Sequence, residues 1–298
     1  MRRTTGILII LLSVLVMPVR GQQAPLYTQY LFNQLLYNPA VAGALPYYQI
    51  RSNHRFQWVG MTDAPLTNAI SFHGPHPTLP MGYGGYIYHD VTGPTSQTSI
   101  TGAYAYNIGI SESLRLSMGL SLGAMQYRVD GTQITVKDPR DQTLQQVVYT
   151  SWVPDANLGL YLYHEDFYVG FSTAHLVTTK LKLYEPGIGI NKLKTHFFLT
   201  GGYSWEVSQT VKLEPSAMLK GSLPNAIQLD VTARVIWQDM IWGGISYRTG
   251  DAVSVLIGYA YEEKIYFGYS YDLTLSDLRK HNTGTHEIMF GFRFHDIK

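Results

Sequence analysis

Apolar and polar side chains alternate one for one over much of this chain. In Tyr47 to Trp58, the even positions Tyr48, Ile50, Ser52, His54, Phe56 and Trp58 form a mostly apolar face tipped with aromatics. The odd positions Gln49, Arg51, Asn53, Arg55 and Gln57 are polar. Between Glu112 and Gln126 the split is cleaner, with Leu114, Leu116, Met118, Leu120 and Leu122 against Arg115, Ser117, Gly119, Ser121 and Gly123. Successive strand side chains point to opposite faces, so this period marks half-buried strands. Further apolar faces fall at Ile100 to Ile108, Leu158 to Leu162, Phe197 to Trp205, Ile227 to Trp237, Val253 to Tyr261 and Ile288 to Phe294. The pattern predicts about fourteen strands of roughly nine to twelve residues, the length a tilted strand needs to cross a bilayer.

A soluble sandwich would place Lys and Glu on its outward faces. Here the polar faces carry mainly Gly, Ser, Thr, Asn and Gln, which suit the lumen of a closed barrel, and aromatics gather at strand ends (Trp58, Trp205, Trp237, Tyr261) as in a membrane-interface girdle. Connection lengths agree. If the first strand runs outward, the long gaps Val129 to Trp152, Val177 to Lys194 and Leu273 to Gly284 all follow outward strands. Tight turns around Ile110-Ser111, Glu165, Gln209 and Glu262-Glu263 fall on the other side, and the proline-stiffened Gly74 to Met81 is a longer inner turn. Long outer and short periplasmic connections are the outer-membrane pattern. The reading is an all-β, closed antiparallel transmembrane barrel over residues 47–298, with both termini periplasmic.

Composition sharpens this picture. Charged residues make up 14% of the chain, against about 25% usually. Twenty-two basic and 21 acidic residues leave a net charge of +1, so nothing draws the chain to nucleic acid. Arg2 and Arg3, the short apolar run Ile7 to Met17, and the small residues Val19 and Gly21 read as a signal peptide over residues 1–21, cleaved before Gln22. With no cysteine, lipid acylation of a Cys and disulfides are excluded. Residues 22–46 then precede the barrel. They include "LYTQYLFNQLLYNPAVAG", uncharged, with eight Leu, Tyr and Phe residues between Leu26 and Tyr37, Leu31, Leu35 and Leu36 at helical spacing, and a break at Asn38-Pro39-Ala40. So apolar a stretch is poorly suited to water, and its amides and phenols suit a polar lumen, so it is expected to plug the barrel.

The same stretch resembles the N-terminal signature of the PorP/SprF family of type IX secretion membrane proteins of Bacteroidota. The resemblance falls on Gln29-Tyr30, Phe32-Asn33, Tyr37-Asn38-Pro39-Ala40 and Ala42-Gly43. Arg55, Gln57 and Trp58 fall on the family's early Arg-x-Gln-Trp strand. Near the C-terminus Tyr271-Asp272, Leu275-Ser276, Leu278, Gly284, His286-Glu287 and the strand ending in Phe294 fall on its closing pattern, with Gly-Thr-His-Glu where many members have Gly-Ser-His-Glu. The Asn-Pro-Ala break is also similar to the hatch of fatty-acid-transport barrels, which implies a fourteen-strand architecture of that kind. The resemblance implies an outer-membrane component that assists export or surface retention of cargo, gliding adhesins included. Its implied partners are periplasmic ring proteins, an OmpA-like peptidoglycan-binding lipoprotein and the cargo itself. A plugged barrel of this size leaves no room for a folded protein, so a scaffold or adaptor role is expected. The rival is a transporter of a small hydrophobic compound past the hatch; against it, the longest outer gap is largely polar.

The ten His raise the question of an enzyme. None has a Ser two residues on, as barrel lipases do, and His89-Asp90 has no second acidic pair nearby in sequence. His73 and His76 have no carboxylate or Cys beside them to complete a metal set, and no nucleotide-binding glycine loop is visible. The chain is therefore read as a non-enzyme without a cofactor, and Glu287 as part of a polar lumen network on the same strand face as Arg293.

Overall fold

The computed structural model describes residues 26–134, 147–177, 193–222 and 227–296. The signal-peptide reading therefore lies outside the described residues, as do the middles of two of the three long gaps. None of the described helices is long and apolar enough to cross a membrane.

The described residues form fifteen antiparallel strand segments: β1 (Tyr48–Phe56), β2 (Leu66–Pro75), β3 (Met81–Thr92), β4 (Thr95–Gly109), β5 (Arg115–Asp130), β6 (Val148–Tyr163), β7 (Phe167–Ala174), β8 (His196–Tyr203), β9 (Trp205–Ser208), β10 (Val211–Gly221), β11 (Ile227–Trp237), β12 (Ile241–Arg248), β13 (Ala252–Tyr261), β14 (Ile265–Thr274) and β15 (Thr285–Phe294). β8 and β9 are one stave interrupted at Ser204, since both pair with β10. The Ser204 N–H leaves that ladder to donate to the Asp166 carbonyl of the β6–β7 turn at 2.6 Å, which the alternation alone did not reveal. The fourteen staves close into a ring because β15 pairs with β1, from Tyr48↔Phe294 to Phe56↔His286. No sheet edge is left for lipid to meet along that seam.

The alternation sorts the side chains as the sequence implies. On β5, Met118 and Leu120 are exposed toward the surrounding membrane, while Ser117 and Ser121 are buried in the lumen. Leu122, Ile245 and Val255 are each more than half exposed, unlike anything in a soluble core. One stave, β1, deviates at both ends. Tyr48, on the outward face by alternation, is buried where its ring stacks on Phe72 and Phe294 at 5.9 Å each. β1 stops at Phe56, and Trp58 stands beyond it with φ 48° in the connection to β2.

One mouth of the barrel is made of tight turns. At Gln238-Asp239 and at Glu262-Glu263, two consecutive residues have positive φ, and the backbone N–H of Met240 and of Lys264 closes each turn. That is the type I′ geometry whose twist matches a hairpin. The longer connections all leave from the opposite mouth, among them residues 57–65 and 275–284. β5 reaches Asp130 and β6 begins at Val148, so these staves extend further into the first long gap than the sequence suggests.

If the outward faces meet lipid, Leu120→Arg should destabilise the folded barrel by about 2–4 kcal/mol and Leu120→Ala by clearly less. Urea titration of protein refolded into lipid vesicles reads this difference; equal effects of the two substitutions would contradict the assignment.

Candidate functional site

The segment from Leu26 to Pro46 lies inside the ring. It contains two single turns of 3-10 helix, Gln34–Leu36 and Pro39–Val41, and no longer helix, although the leucine spacing invites one. Asn38 accounts for the break: its side-chain oxygen caps the second turn by accepting from the Ala40 N–H at 2.9 Å, and Pro39 occupies the first helical position.

The segment's path runs the length of the lumen. Thr28 and Gln29 sit beside the ends of β14 and β15 from which the long connections leave: Thr28 Oγ1 donates to Asp272, and the N–H groups of Thr28 and Gln29 donate to Glu287 at 2.7 and 3.1 Å. The chain then turns toward the tight-turn mouth, where Phe32 packs against Trp242 at 4.7 Å beneath the Arg234 guanidinium. It returns to place Tyr37 against Phe198, with the Tyr37 hydroxyl accepting from the Tyr27 N–H. It leaves past Pro39, Ala40 and Gly43 to begin β1. The described part of the segment therefore runs from near the long-connection end to the tight-turn mouth, where β15 also ends.

Contacts with the wall are specific. Asn33 donates to Asn53 Oδ1 at 2.8 Å and accepts from Ser71 at 2.7 Å. Asn38 Nδ2 donates to the Leu160 carbonyl, Ser172 donates to the Tyr37 carbonyl, and Tyr30 OH meets Ser216 Oγ at 3.0 Å. Burial lifts the Tyr30 and Tyr37 phenols above their usual range, so both remain neutral. The wall is cut back where the segment's backbone touches it. A Cβ on Gly119 would stand 2.2 Å from the Ala40 nitrogen, and one on Gly82 would stand 2.4 Å from Gly43 Cα.

Where the segment starts, the wall carries a buried ionic cluster. Arg55 on β1 pairs with Asp272 at 2.8 Å and Glu287 at 3.1 Å. Arg248 on β12 reaches Asp230 at 3.2 Å and Asp272 at 3.4 Å, and Lys220 on β10 holds Asp230 at 2.7 Å. Three cations thus face three carboxylates, all nearly inaccessible to solvent, and Arg248 also pairs with the partly exposed Asp251 at 3.1 Å. Thr28 sits among them: both Arg55 and Arg248 donate to its hydroxyl oxygen, which donates in turn to Asp272. Such pairs contribute little beyond their desolvation cost, but removing one partner strands a buried charge and costs about 3–5 kcal/mol.

The residues singled out in the sequence divide into three places. Gln29, Tyr30, Phe32, Asn33, Tyr37, Asn38, Pro39, Ala40 and Gly43 meet the lumen wall, and Arg55, Asp272 and Glu287 meet one another. Gln57, Trp58, Tyr271, Leu275, Ser276, Leu278, Gly284 and His286 sit together at the long-connection end, tying loops rather than lining the lumen. There the Gln57 N–H donates to Pro65, the Trp58 N–H to Thr285 Oγ1, and the Leu275 N–H to Asp251. Ser276 opens the turn Asp277–Lys280, and the Leu278 carbonyl accepts from Asn282 Nδ2. His286 Nδ1 meets the Tyr269 hydroxyl at 2.7 Å. Gly284 has φ 107°, and a Cβ there would strike the Tyr271 ring at 2.6 Å, so this position requires glycine. Phe294 stands apart, at the other mouth. Arg293 shares a strand face with Glu287 but is six residues away, about 20 Å along a strand, and pairs with Glu263 and Asp296 instead. No motif marks Thr28, Lys220, Asp230 or Arg248; for the last three, a charge on the lumen-facing register of a charge-poor chain is the signal the sequence offers. Among the described residues no cluster of His, Cys, Asp and Glu could hold a metal ion.

Closed ring, outward apolar faces and polar filled lumen together define an outer-membrane β-barrel. Comparison with known folds agrees. The toluene transporter TbuX of Ralstonia pickettii is similar at a TM-score of 0.52 and 12% identity, over 88% of this chain and 93% of that one. The CymD monoaromatic hydrocarbon channel is similar at 0.52 and 13%, over 94% and 96%. The toluene transporter TodX of P. putida is similar at 0.50 and 10%, over 88% and 94%. At such identities the likeness is one of fold. No curated protein sequence matches the chain. The chain belongs to the family described as type IX secretion system membrane protein PorP/SprF, whose model matches residues 19–292. It is thus an outer-membrane component of that secretion system, and its family and structural neighbours are secretion and transport barrels, not enzymes.

The seats in the wall predict a substitution effect. Gly119→Ala should displace the segment and raise chymotrypsin cleavage within residues 26–43 at least tenfold in the folded barrel. Gly102→Ala, which meets no atom closer than 4.0 Å, should leave cleavage unchanged. Mass spectrometry of the fragments reads both; the same cleavage rate in the two variants would show that the wall glycines do not seat the segment.

Proposed function

We propose that this barrel acts as a scaffold or adaptor in type IX secretion, not as the passage for cargo. The observation that supports it most is the occupied lumen: most side chains from Tyr27 to Ala42 are buried against the wall, and the segment is bonded to several staves along its path. A folded cargo protein could pass only if this whole set of contacts were broken. The tight-turn mouth is read as periplasmic and the long connections as external, following the general habit of outer-membrane barrels. In that orientation the periplasmic ring proteins and a peptidoglycan-bound lipoprotein would meet the tight turns and the exit of the segment at Gly43 to Pro46. Cargo, gliding adhesins included, would meet the long connections. The family match supports this role over transport of a small hydrophobic compound, because the likeness to hydrocarbon channels is one of fold alone.

The test is deletion of Gln22 to Gly43 with the leader kept. The barrel should still reach the outer membrane, conduct small ions that the intact protein blocks, and fail to support secretion. An inserted barrel with unchanged conductance and unchanged secretion would make the segment a passive tail.

A further inference from the structure

Beside the luminal segment a cavity of about 550 Å³ opens at the tight-turn mouth. Its walls mix aromatic side chains, Phe32, Tyr163, Tyr168, Trp242 and Tyr266 among them, with charged ones, and Arg51 of β1 lines it. Arg51 is 5% exposed and held on three sides. Its Nε donates to Gln49 Oε1 at 2.9 Å, and its guanidinium lies over the Tyr266 ring at 4.2 Å. Opposite it β15 carries Gly291, where a Cβ would stand 2.1 Å from Nη1. The wall is shaped to keep this side chain in one pose.

What the pose lacks is a counter-ion. The carboxylates lining the cavity are engaged or remote: Glu214 pairs with Arg234, Asp239 with Lys212 and Glu263 with Arg293, while Asp166 faces His164 and Glu165 stands exposed on the turn. Among the described residues Arg51 forms no ion pair; its Nη1, sealed from solvent against Gly291, has no hydrogen-bond partner, so a ligand in the cavity would meet the other edge of the guanidinium. Arg55 and Arg248, as deeply buried, each hold two or more carboxylates. A buried cation without a partner is costly, and a carboxylate is the natural counter-ion for a guanidinium.

We propose that this cavity is a binding site for a carboxylate-bearing ligand with an apolar or aromatic body, its carboxylate held by Arg51 and its body against the aromatic walls. The volume suits a small organic acid or a few terminal residues of a peptide. The proposal does not depend on the scaffold role.

Both sources can be tested on purified protein in detergent by calorimetric titration. One pair of probes is phenylacetate and phenylacetamide; the other is acetyl-Gly-Phe-Gly-Tyr as its free acid and as its C-terminal amide. At least one acid should bind ten or more times as tightly as its amide, and Arg51→Gln should remove that difference. Preference for phenylacetate identifies a free organic acid, and preference for the peptide acid identifies a chain terminus. In the wild-type barrel the preferred acid, but not its amide, should also slow phenylglyoxal modification of Arg51, read by mass spectrometry. This second readout does not depend on the variant folding. Acids and amides binding alike, or Arg51 modified at the same rate with either, would overturn the proposal.

Discussion

A barrel that turns polar side chains inward must find partners for them, and much of this one finds them in its own N-terminal segment. Asn53, Ser71, Ser172, Ser216, Asp272 and Glu287 come from staves spread around the ring, and all hydrogen-bond to residues between Thr28 and Asn38. Water could serve these groups in an open pore. In a lumen from which the segment excludes solvent, each lost contact would leave a buried polar atom unsatisfied, at about 1–3 kcal/mol. The segment is therefore less a lid resting in a channel than the polar core of the molecule, with lipid taking the place that a hydrophobic core fills in a soluble protein.

The ionic cluster follows from the same constraint. Three cations and three carboxylates are tolerated in a dry interior because every one has an opposite charge within 3.2 Å, and Arg248 reaches a fourth carboxylate, Asp251, at the edge of the cluster. Its members come from β1, β10, β11, β12, β14 and β15, the arc that includes the seam between first and last strands. Closing the ring brings Arg55 to Glu287, and the start of the luminal segment is fastened to the same carboxylates. Barrel closure and the seating of the segment are thus coupled through Glu287, which receives Arg55 on one side and the Thr28 and Gln29 N–H groups on the other.

Much of this was legible from the chain alone. The two-residue period exposes the staves because one face of each meets lipid and the other does not, so Met118 and Ser117 differ in kind as well as in position. Turn lengths separate a tight-turn mouth from a long-connection mouth, since the hairpins at Glu165 and Glu262 are short in sequence as in space. The interruption at Ser204 was not legible, because it arises from a bond to Asp166 on a neighbouring turn. Nor was the cluster. Lys220, Asp230 and Arg248 look like ordinary polar-face residues until the curl of the sheet brings them together. The helical spacing of Leu31, Leu35 and Leu36 leads to no long helix because the lumen rewards side chains reaching to all sides, and the segment doubles back instead.

The chain has no cysteine, so two introduced thiols report on one contact without background. Asn33 of the segment and Ser71 of β2 touch at 2.7 Å midway down the lumen. In an Asn33→Cys, Ser71→Cys variant assembled in the outer membrane of living cells, dibromobimane should bridge the pair. It should become fluorescent in most molecules, and the bridged cells should secrete cargo at the wild-type rate. That result is predicted if the segment is a fixed core of a scaffold. Two thiols that react separately with maleimide and never bridge, or secretion that stops on bridging, would contradict it.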